Sequence, residues 1–164
     1  MYTEARQLDE AIAQLQRAIA MDKNFARAHA YLANAYLAKE RYEDAIAEYE
    51  KANVLSGRSS PEEAARKATL LRDGYRRSGA KGFWEKWLEV RIENMRRGTT
   101  VSPTVMAQAY ARTRDKDRAF EWLEKAYTQR DQFLFYNMKV ERDFDSLRSD
   151  PRYADLLQHI GLPQ

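Results

Sequence analysis

Two stretches of this chain are near copies of each other. LDEAIAQLQRAIAMDKNF (residues 8–25) and YEDAIAEYEKANVLSGRS (42–59) each place an acidic pair before Ala-Ile-Ala, with more Ala and aliphatic or aromatic residues following at helical spacing. Ala11 and Ala45 hold equivalent places, 34 residues apart. A fixed period of this size marks one supersecondary unit copied along the chain, and such a unit buries its apolar face only by stacking on its copies. The expected fold is therefore all-α, a stack of helix pairs.

The stretch between the echoes supplies the other half of the unit. From Ala26 the chain reads His29-x2-Leu32-Ala33-x2-Tyr36, then Ala45-x3-Tyr49 and Ala52, across the polar turn KERYED. Small residues at Ala33, Ala45 and Ala52 let two helices approach, while Leu32, Tyr36, Ile46 and Tyr49 fill the remaining volume on i, i+3, i+4 faces. Residues 26–56 resemble a tetratricopeptide repeat, whose helix A carries Trp-x2-Leu-Gly-x2-Tyr and whose helix B carries Ala-x3-Phe.

The same frame extends along the chain. Residues 61–97 read as a divergent repeat, with Ser60 and Pro61 as N-cap and first helical residue, Leu71 and Tyr75 in place, and RRSGAKG as the turn. Trp84 falls where the small Ala belongs, so a helix pair pushed apart is expected there. Residues 102–129 restore the pattern, with Met106-Ala107-x2-Tyr110, Ala119-x3-Leu123 and Ala126. Residues 133–162 read as a C-terminal cap, with Asp150-Pro151 starting its last helix and Gly161 stopping it. The resemblance implies a right-handed α-α superhelix of about three and a half helix pairs plus a capping helix. Residues 4–22 would be helix B of a repeat whose helix A is missing. A single solenoid domain, 1–164, cut from a longer protein is the expectation; self-association through that first helix, giving a homodimer, is the alternative.

A narrower likeness covers roughly residues 65–163. VSPTVMAQAYARTRDKDRAFEWLEKAYTQRD, DSLRSDPRYADLLQHIGLP and FWEKWLEVR are similar to the C-terminal tetratricopeptide region of bacterial multidomain signalling proteins, which join it to a kinase, winged-helix or cyclase-type domain. It implies a regulatory or scaffolding segment in the cytoplasm that binds a protein or peptide.

No reaction centre is legible. The chain has no Cys, which excludes disulfides, thiolate catalysis and Cys-based zinc sites. Gly74-x4-Gly79-Ala80-Lys81 misses a phosphate-binding loop by one residue and follows a helix rather than a strand. His29 takes the Trp position of its repeat, and His159 stands far along the chain, so no metal site is expected. Asp143 and Asp145 lie beside a turn, where Asp serves as a cap. The reading is a non-enzyme without a cofactor. No apolar run reaches the roughly 20 residues that a spanning helix needs, so no membrane insertion is expected.

Charge points to the binding surface. Residues 58–97 hold 11 Lys/Arg against 6 Asp/Glu, within a chain of net +3. Helix-A positions 2, 5, 9, 12 and 13 line the concave groove of the family. By resemblance these are Arg27, Ala30, Asn34, Leu37 and Ala38 in one repeat. The next repeat offers Arg66, Thr69, Asp73, Arg76 and Arg77, and the last Val101, Thr104, Gln108, Ala111 and Arg112. The polar members, Arg27, Asn34, Arg66, Asp73, Arg76, Arg77, Gln108 and Arg112, are the groove candidates. Guanidinium forks suit an acidic peptide. Ala30 and Leu70 stand where the family's carboxylate clamp needs cations, so that specific clamp is not expected. Nucleic-acid binding through residues 58–97 is the weaker alternative, because acidic residues are interleaved with the basic ones.

Overall fold

The computed structural model describes the backbone of residues 2–134, 138 and 142–161, and side chains of 7–134, 138 and 143–161. Every regular element among them is helical: α1 (Tyr2–Met21), α2 (Ala26–Ala38), α3 (Tyr42–Leu55), α4 (Pro61–Arg96), α5 (Pro103–Arg112), α6 (Lys116–Thr128), a 3-10 turn (Arg142–Phe144) and α7 (Pro151–His159). The fold class is all-α, as the 34-residue echo requires. No described helix is long and apolar enough to cross a membrane. The chain forms two compact units, Met1–Phe83 and Trp84–Gln164, each with its own core.

In the first unit α2 packs against both α1 and α3. Ala33, Ala45 and Ile46 are fully buried between them, and Leu32 and Tyr36 close the layer. Helix α2 ends in a device set by hydrogen bonds rather than by glycine. Arg41 N–H donates to the Tyr36 carbonyl at 2.8 Å while Glu40 adopts a left-handed φ of 57°. This six-to-one bond satisfies a carbonyl that the helix end would otherwise orphan. The second unit repeats it: Asp115 N–H donates to the Tyr110 carbonyl at 3.0 Å, with Arg114 at φ 65°. The two repeat tyrosines, Tyr36 and Tyr110, thus mark the same turn.

The divergent repeat closes differently from the sequence expectation. Helix α4 breaks at Ser78 (φ −143°, ψ 22°) and Gly79 (φ 60°, ψ −144°), a turn of two residues rather than seven. Its arms fold back so closely that a Cβ on Gly82 would lie inside the van der Waals envelope of the Gly74 carbonyl oxygen. The small residue that permits the approach is therefore Gly82. Trp84 is buried in the second unit, its ring 5.6 Å from that of Trp87. Ser60 caps α4 as expected, accepting from Glu63 N–H at 3.2 Å. Tyr42, which the repeat pattern leaves unexplained, is 4% exposed; it stacks on Tyr75 at 4.9 Å and tilts against Phe83 at 5.0 Å. Phe135 and Tyr136, equally unexplained, lie outside the described residues.

In the second unit α5 pairs with α6, and Met106, Ala107, Ala119, Leu123 and Ala126 are fully buried. Ser102 caps α5 and donates its hydroxyl to Asp131 at 2.5 Å. The same carboxylate accepts from Thr104 N–H at 3.1 Å, from the Thr104 hydroxyl at 3.0 Å and from Phe133 N–H at 3.0 Å. Burial alone would push Asp131 up, but these four donors hold its carboxyl below the usual range. The chain leaving α6 is thereby fastened to the start of α5. Asp150 caps α7 and is lowered to about 2 by the Arg152 guanidinium beside it. Arg152 also pairs with Asp117 of α6 at 2.9 Å and lies over Phe120 at 4.2 Å, which seats α7 against α6.

Candidate protein-binding face

The exposed side of α2 is narrow because α1 and α3 enclose the rest of the helix. Arg27, Tyr31, Asn34 and Ala38 are exposed, at i, i+4, i+7 and i+11, which is one stripe of a helix. Tyr31 is 56% exposed, the largest apolar surface on the stripe. The Tyr49 hydroxyl of α3 donates to Asn34 Oδ1, which orients the amide and leaves its NH2 outward. Arg27 has no ion-pair partner among the described residues, so its guanidinium is available to a ligand.

The first arm of α4 presents a second stripe in the same unit: Arg66, Thr69, Asp73, Arg76 and Arg77, all exposed. Arg76 pairs with Asp73 at 3.7 Å. Exposed pairs of this kind contribute less than about 1 kcal/mol, so a ligand carboxylate can displace Asp73 at little cost. Arg77 has no partner among the described residues. The opposite side of the arm is buried: Ala64, Ala68 and Leu71 pack inward, and Lys67 is held by Glu63 at 3.0 Å and Ser59 at 3.3 Å. Arg72, one residue off the stripe, is committed to α3 through Glu43 at 3.5 Å and Glu50 at 3.3 Å.

The second unit places its two candidates otherwise. Gln108 is half-buried. Arg112 pairs with Asp143 and lies over the Trp84 ring at 4.7 Å, with its Nε buried and without a hydrogen-bond partner among the described residues. Of the other family groove positions, Leu37, Thr104 and Ala111 are buried. Asp143 and Asp145 do not face each other as acid and base; Asp145 pairs with Arg148 at 2.8 Å.

His29 is a structural residue. Its ring is buried, with Nδ1 2.5 Å from Glu48 Oε2 of α3 and Nε2 3.0 Å from the Lys23 carbonyl in the α1–α2 turn. One side chain thus ties three segments together. Burial pushes Glu48 up, but hydrogen bonds from Lys51 and His29 outweigh it and hold the carboxyl below its ordinary value.

Comparison with known families reaches residues 1–53, part of the first unit. Residues 1–39 match a family model described as TPR repeat, and residues 26–53 one described as Tetratricopeptide repeat. Residues 1–53 are thus similar to tetratricopeptide repeats. Neither a curated protein nor a solved structure matches the chain significantly. Repeats of this family mediate protein–protein interaction and scaffolding, so a protein partner is indicated. The stripe of α2 lies within the matched residues, and that of α4 lies beyond them. Tyr31 is the residue that groove positions alone miss. Its spacing of four from Arg27 and three from Asn34, on one row of a mostly apolar helix, is the signal that reveals it.

Proposed function

We propose that this chain is a non-catalytic interaction module that binds an acidic peptide or helix along the exposed stripes of α2 and the first arm of α4. The reading rests on one observation above all. Arg27, Tyr31 and Asn34 line one stripe while Arg66, Arg76 and Arg77 line the other, an aromatic among cations. Arg forks bind carboxylates bidentately, and exposed Tyr offers contact area at low entropic cost. A regulatory role within a cytoplasmic bacterial signalling protein goes with this reading and rests on the likeness of residues 65–163.

Nucleic-acid binding draws less support. Arg72 is committed to Glu43 and Glu50 of α3, Arg91 lies over Trp87 at 4.5 Å, and exposed Glu62, Asp73, Glu85 and Glu89 are interleaved with the cations, which opposes a phosphate backbone. Selection from a random peptide library tests the proposal. The wild-type chain should enrich acidic sequences that an equally helical Arg66→Glu/Arg76→Glu/Arg77→Glu variant does not retain. Enrichment without acidic bias, or equal retention by the variant, would count against it.

A further inference from the structure

The first unit holds an apolar groove that the cationic stripes do not touch. It lies between α1 and α3, over the start of α2, measures about 860 Å³, and has walls of Ile19, Ala20, Ala47, Val54 and Leu55. The sequence explains its open floor. His29 stands where the repeat pattern places Trp, and an imidazole, smaller than an indole, leaves the space above it unfilled. Glu48 and the Lys23 carbonyl hold the two ring nitrogens, so the floor is fixed in place. The walls meet water: Ile19, Ala47 and Val54 are half-buried, and Ala20 and Leu55 are exposed. From Ala47 to Leu55 the α3 wall runs about 12 Å at the rise of a helix.

The polar groups around the groove are engaged, with one exception. Gln16 donates to the Tyr36 hydroxyl at 3.2 Å, Lys51 pairs with Glu48 at 2.8 Å, and Glu50 accepts from Arg72 at 3.3 Å. Lys23 lines the groove from the α1–α2 turn, and its ammonium has no ion-pair partner among the described residues. An extended peptide laid here would find its donors and acceptors already taken, whereas a hydrocarbon needs none. Aliphatic walls ending at one free cation complement a ligand with an apolar body and a single anionic head.

We propose that this groove binds a free medium-chain fatty acid, its alkyl chain against Ile19, Val54 and Leu55 and its carboxylate on Lys23. The site is independent of the acidic-peptide reading, because no residue of the α2 and α4 stripes lines it. Decanoate, kept below its micellar range, is titrated into the full chain while methyl signals are followed by NMR. The Ile19, Val54 and Leu55 methyls should shift saturably. Decylammonium, alike in chain but opposite in charge, should bind at least about fivefold more weakly, and Lys23→Glu should weaken decanoate by a similar factor, since reversal turns attraction into repulsion. Leu55→Glu, also an exposed change, should abolish the shifts. Phosphatidylglycerol vesicles are added in a parallel arm. Equal binding of the two amphipaths, or either variant binding decanoate as the wild type does, would overturn the proposal. So would decanoate shifts spread over both units. Shifts produced by the vesicles and not by monomeric decanoate would also contradict it and assign the face to a membrane surface.

Discussion

The first unit contains two close backbone approaches that solve one problem by different chemistry. The α2–α3 pair approaches through alanines, Ala33 and Ala45, and turns through a left-handed Glu40 secured by a six-to-one hydrogen bond. The arms of α4 approach through glycines, Gly74 and Gly82, and turn in two residues through Gly79. An alanine contact leaves a Cβ layer between backbones; a glycine contact leaves none. The second approach is therefore the tighter one and the less tolerant of any added atom. Closeness in a helix repeat depends on which residue stands at the crossing point, and the turn length decides which residue that is.

The largest expected effect strikes the glycine hairpin. Gly82→Ala places a methyl against backbone that has no rotamer to give, and should cost about 3 kcal/mol, read as a fall in the unfolding midpoint. Ala45→Leu overpacks the alanine hairpin and should cost about 2 kcal/mol, whereas Ala11→Leu, at the equivalent but open position, should stay within about 0.5 kcal/mol. Equal losses at 11 and 45 would break the comparison between the echoes. Glu48→Gln removes the charge that His29 and Lys51 address and should cost roughly 1.5 kcal/mol by denaturant titration at neutral pH.

The same carboxyl has a pH signature. Its folded value lies below the ordinary 4.5, so its contribution is complete above that pH and is lost as pH falls through the lower folded value. Glu48→Gln should flatten that part of the acid unfolding profile. The smallest effect is a gain. Glu40→Gly relieves the left-handed strain of the α2–α3 turn and should stabilise by about 0.5–1 kcal/mol, provided the Arg41–Tyr36 hydrogen bond persists.

The helix pairs were legible because their packing is local and periodic. Leu32, Tyr36, Ala45 and Ala52 stand at spacings that only a helix hairpin uses, and all four are buried. The α4 hairpin was legible as an element but not in its register. Counting forward from Tyr75 assumes a turn of constant length, and Gly79 shortens it. Arg112 was legible as a cation but not as a half-buried one; its partners Asp143 and Trp84 are distant in sequence and on no shared period. Tyr31 was hidden because a tyrosine in a helix-rich repeat reads as core until the helices that enclose α2 are placed.

The central claim is that the exposed stripe of α2 forms part of the binding surface, and a pair of affinities tests it most directly. The strongest library-selected peptide would be titrated against the wild-type chain and against Arg27→Ala/Tyr31→Ala, two exposed changes that leave the helix pairing untouched. A dissociation constant weakened at least about tenfold, roughly 1.4 kcal/mol, is the predicted result. Equal constants for the two proteins would contradict the account and move the binding surface off α2.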